Sequence, residues 1–161
     1  MVNYQPNSEM ISTATTSDDL VGGTGGINVV EVIETVISSL DQSDSAMVSQ
    51  NDGGHIWKFK YGSVEVFVQL TGTTEEDSLT VWASVLNLPA QNEPQLFRKL
   101  LEMNWLSTFE AGFAIYNNQI VVLSTRTIAE LSPGEISRLV TVVATIADDH
   151  DEALQAEFLA S

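Results

Sequence analysis

The chain has no cysteine, and only six lysines and arginines stand against 22 aspartates and glutamates. The first absence excludes a disulfide framework and any thiolate metal site or nucleophile, and it allows a reducing compartment. The second gives a formal net charge of −16 over 161 residues. Such a field repels phosphate backbones and anionic lipid surfaces, so neither nucleic-acid nor membrane binding is expected, while basic partners are favoured. Long apolar runs are lacking too. The longest apolar-rich stretch, residues 139–147, falls far short of the ~18 residues that a membrane span requires. Residues 1–10 carry neither a basic n-region nor an apolar h-region, and the expected location is the cytoplasm.

What is present is enough apolar sequence for one domain with its own core, since a chain of about 150 residues buries roughly 68–70% of its unfolded surface. Residues 1–26, dominated by Ser, Thr, Asn, Asp and Gly, read as a disordered tail, and residues 27–161 as a single folded domain. The GGTGG run at 22–26 follows no strand and precedes no Lys-Ser/Thr pair, so it is read as a linker, not as a phosphate loop.

Three stretches have helical periodicity. Asn28 is placed to cap a first helix over residues 28–40, with Glu31 at the capping-box position and Val29, Val32, Ile33, Val36, Ile37 and Leu40 on one face. Asn92, Pro94 and Gln95 open a second helix, whose apolar arc, from Met103 through Leu96, Leu100, Phe97 and Leu101 to Trp105, spans roughly 200° where one core needs little over 100°. One flank of that helix therefore faces something other than its own sheet. Ser132, Pro133 and Glu135 start a third helix that is expected to reach Phe158, with a break near Asp149 as the alternative.

Between the helices the pattern alternates. His55, Trp57, Phe59 and Tyr61 share one face of a strand, and Val64, Val66, Val68 and Leu70 one face of the next. In the strand carrying Leu79, Val81, Ala83 and Val85, the opposite residues Trp82 and Leu86 are too apolar for a solvated side, so both sheet faces are expected to be partly covered. Residues 112–116 and 119–124 flank Asn117-Asn118 as a hairpin. Residues 46–50 are a short further strand candidate. The expected fold class is α+β: an antiparallel sheet of about five strands flanked by three helices, in the order α-β-β-β-α-β-β-α.

Catalytic candidates fare poorly. Asp148, Asp149, His150, Asp151 and Glu152 gather carboxylates around a histidine, but on a helix only Asp148 and Glu152 share the histidine's side. That is too few for a metal, so a solvated acidic face is expected, with His150 against the core. His55 has no nucleophile motif nearby. Glu75, Glu76 and Asp77 read as a solvated turn, and Arg126 as a partner for Glu110 or Glu130. No catalytic residue, cofactor or metal site is assigned.

Residues 95–154, QLFRKLLEMNWLSTFEAGFAIYNNQIVVLSTRTIAELSPGEISRLVTVVATIADDHDEAL, resemble the YbjN-type domain, in the branch typical of photosynthetic bacteria. The resemblance extends over roughly residues 28–158 and implies a type III secretion chaperone-like fold. The family is loosely described as regulators of sensory transduction, and the wider fold includes acidic dimeric chaperones. The reading is a non-catalytic, chaperone-like or regulatory protein-binding module that acts as a homodimer on an unidentified protein partner, with Phe97, Leu101, Trp105 and Trp82 as interface candidates. The alternative is a small-molecule sensor or enzyme with a site between the sheet and the third helix.

Overall fold

The computed structural model describes residues 26–161; apart from Gly26, the tail inferred above lies outside the described residues. The elements are α1 (Val29–Leu40), β1 (Met47–Asn51), β2 (Gly54–Tyr61), β3 (Val64–Leu70), β4 (Ser78–Asn87), α2 (Glu93–Leu106), β5 (Gly112–Tyr116), β6 (Gln119–Thr127) and α3 (Pro133–Phe158).

Each boundary has a local cause. The Asn28 side chain accepts the Glu31 N–H at 3.2 Å and caps α1. Asp52-Gly53 and Asn117-Asn118, all at positive φ, make the two-residue turns of the β1–β2 and β5–β6 hairpins. Gly62, at φ +53°, turns β2 into β3, and a Cβ there would collide with the Asp148 carboxylate. Ser132 Oγ accepts the Glu135 N–H at 3.2 Å and the Glu135 carboxylate accepts the Ser132 N–H at 2.8 Å, a reciprocal capping box. From that start α3 runs unbroken through its acidic stretch to Phe158. Asn92 does occupy the N-cap position of α2, but its backbone is left-handed and its side chain caps nothing; it donates to Gln95 Oε1 instead.

The strands form one antiparallel sheet in the order β1-β2-β3-β4-β6-β5. It has six strands where about five were expected, because the short candidate at 46–50 forms edge strand β1. The inward rows, Trp57 and Phe59, Val64 to Leu70, Leu79 to Val85, and Ile120 and Val122, join Ile33 and Ile37 of α1, Leu96 and Leu100 of α2, and Ile136 to Phe158 of α3 in one core. All three helices thus cover the same face. No helix lies on the other face among the described residues, where Trp82, Phe67 and Leu123 are half-buried and Val121 is buried by their neighbours on the sheet. Leu86 is also corrected. A register shift between Ser84 and Leu86 puts Leu86 opposite Ile120, on the core side, so Val85 and Leu86 are both buried.

Two polar assignments change as well. Asp148 Oδ1 accepts the Ser63 N–H at 2.8 Å, and Ser63 Oγ lies 2.9 Å from both Asp148 and Asp151. Its single hydrogen serves one carboxylate at a time. Asp149 and Glu152 remain exposed, but Asp148 and Asp151 turn inward and tie α3 to the β2–β3 turn, a tertiary contact that helical spacing alone does not show. Arg126 pairs with Glu135 at 3.5 Å, because Glu110 is taken by Arg138.

Replacing Ser132 by Ala removes one half of the capping box and is expected to lower stability by about 0.5–2 kcal/mol, read as a shifted midpoint at constant slope in denaturant titration. Asp77 offers a pH test. Hydrogen bonds from the Thr74 hydroxyl and N–H, then from the Thr71 hydroxyl, hold its carboxyl below the usual carboxylate range. A depressed folded value stabilises the protein above the unfolded value and stops doing so as pH falls through the folded one. Asp77→Asn is therefore less stable than the parent at pH 7, and the difference closes below about pH 4.

Candidate protein interface

α2 turns Leu96 and Leu100 into the core and leaves Leu101 and Trp105 outside, 69% and 89% exposed. Phe97, half-buried, lies between these two faces. The wide apolar arc therefore divides as expected: one flank meets the sheet and the other meets nothing among the described residues.

The placement of α2 depends on Asn104. Its Oδ1 accepts the Phe113 N–H at 2.7 Å and its Nδ2 donates to the Phe113 carbonyl at 3.3 Å, so one side chain replaces a strand partner for the start of β5. Beside it, fully buried Thr108 donates to the Asn104 carbonyl at 3.1 Å, and Ser124 Oγ donates to the Glu110 carbonyl at 3.0 Å. Arg138 grips the Glu110 carboxylate and, with a smaller effect from Arg126, holds it below its usual range. Between these anchored neighbours Phe109 sits at φ +52° and is 78% exposed. A bulky residue in the left-handed region persists only where its surroundings over-determine it.

β5 is an edge strand, and an apolar hollow lies on each side of it. The first, about 210 Å³, lies towards α2 and is bordered by Phe97, Leu101, Phe113 and Ile115. The second, about 160 Å³, lies on the open face and is bordered by Trp82, Tyr116, Val121 and Leu123, again with Ile115. Trp82 anchors that face, stacked on Phe67 with centroids 5.3 Å apart and meeting Tyr116 edge-on at 5.8 Å. Phe97, Leu101 and Trp105 thus form one stripe, and Trp82 lies on the other side of the same free edge, with Ile115 bordering both hollows. Sequence reasoning missed Ile115, Tyr116 and Phe109. The apolar pair at the end of the 112–116 strand was the available signal, but only the strand order makes that strand an edge.

The family can now be stated. A model described as "Putative bacterial sensory transduction regulator", the YbjN family, matches residues 30–156. The chain belongs to the YbjN family. No curated protein matches it. Among solved structures, a chain of the crystal structure of the ExsC-ExsE complex is similar at 14% identity, with a TM-score of 0.49, over 79% of this chain and 96% of that one.

Among the described residues no three His, Asp or Glu side chains cluster in a way that could hold a metal ion, and no helix is long and apolar enough to cross a membrane. His150 is half-buried and meets Phe113 edge-on at 6.1 Å. His55 stacks on Trp57 at 5.1 Å, with a buried Nδ1 that has no partner. Asn104→Ala leaves the Phe113 N–H without its acceptor and is expected to cost about 1–3 kcal/mol. Denaturant titration measures the loss, and faster amide exchange at Phe113 locates it.

Proposed function

We propose that this protein is a non-catalytic binding module, chaperone-like or regulatory, that acts as a homodimer through the α2 stripe and the free edge of β5. One observation carries the reading: an apolar surface from Leu101 and Trp105 across Ile115 to Tyr116 is exposed at a strand edge that, beyond Asn104 at Phe113, has no neighbouring strand among the described residues. A patch of that kind in a soluble chain marks an interaction site. Its own copy supplies the same shape and chemistry by a two-fold operation, the commonest way in which a small protein covers such a face. The patch is also where two acidic molecules meet with little repulsion, since the charges beside it, Arg98 and Glu102, pair with each other at 3.2 Å. The description of the YbjN family as sensory transduction regulators agrees with a role exercised through binding.

Sedimentation tests the reading. The parent is expected to sediment as a dimer at tens of micromolar, and more completely at high salt, because screening reduces repulsion between two chains of charge −16. Trp105→Glu deletes an aromatic anchor and places a carboxylate in the contact, and it is expected to sediment as a folded monomer. A monomeric parent would refute the dimer, and a dimeric Trp105→Glu variant would refute this interface.

A further inference from the structure

We draw no further inference here: the strongest candidate, the open face of the sheet, where Lys58, Phe67, Trp82 and Leu123 stand in register across four strands, carries nothing because Lys58 is already paired with Glu65 and nothing in the structure shows what covers that row.

Discussion

The rest of the structure depends on the packing of α3 against one face of the sheet. Its buried residues, from Ile136 to Phe158, cover β4 and reach β2, β3 and β6. Its polar residues reach the other parts. Asp148 and Asp151 hold the β2–β3 turn through Ser63, and Arg138 holds the turn after α2 through Glu110. Lys99 of α2 pairs with Glu157 at 2.6 Å, and the Gln91 N–H donates to the Phe158 carbonyl. These exposed ion pairs add little energy by themselves. What they do is orient elements that apolar burial already holds together.

Covering one face has a consequence for function. With α1, α2 and α3 all on the same side, the second face and the outer sides of both edge strands carry no helix or further strand among the described residues. The apolar residues there, Trp82, Ile115, Tyr116 and Val48, lie outside the core. β5 is flanked by an apolar helix stripe and a nearly uncharged surround, which suits a second copy.

Most of the architecture was legible in the sequence because its signals are local. Caps at Asn28 and Ser132, paired positive-φ residues at Asn117-Asn118, and clean two-residue alternation in β2 and β3 each act within a few residues. The α2 arc was also legible as an excess, since a helix 14 residues long cannot bury about 200° of apolar surface against one sheet. Three of the four interface candidates come from that excess. The readings that failed depend on distant partners. Leu86 was assigned to the wrong face because a bulge leaves no mark in the alternation of its own strand, and Asp148 and Asp151 were read as solvated because Ser63 is far away in sequence.

By itself the sequence determined the element types, their order, the buried face of each and, through the lack of cysteine, the exclusion of thiol chemistry. These follow from periodicity and from sums over residues, which need no knowledge of neighbours in space. The tertiary structure alone decided that the helices share one face, that β1 and β5 are the edges, and that Ile115 connects the α2 stripe to Trp82. Strand order is set by which long-range pairings close without loss of buried backbone hydrogen bonds. That competition is settled over the whole chain, so no local pattern encodes which strand is left without a neighbour.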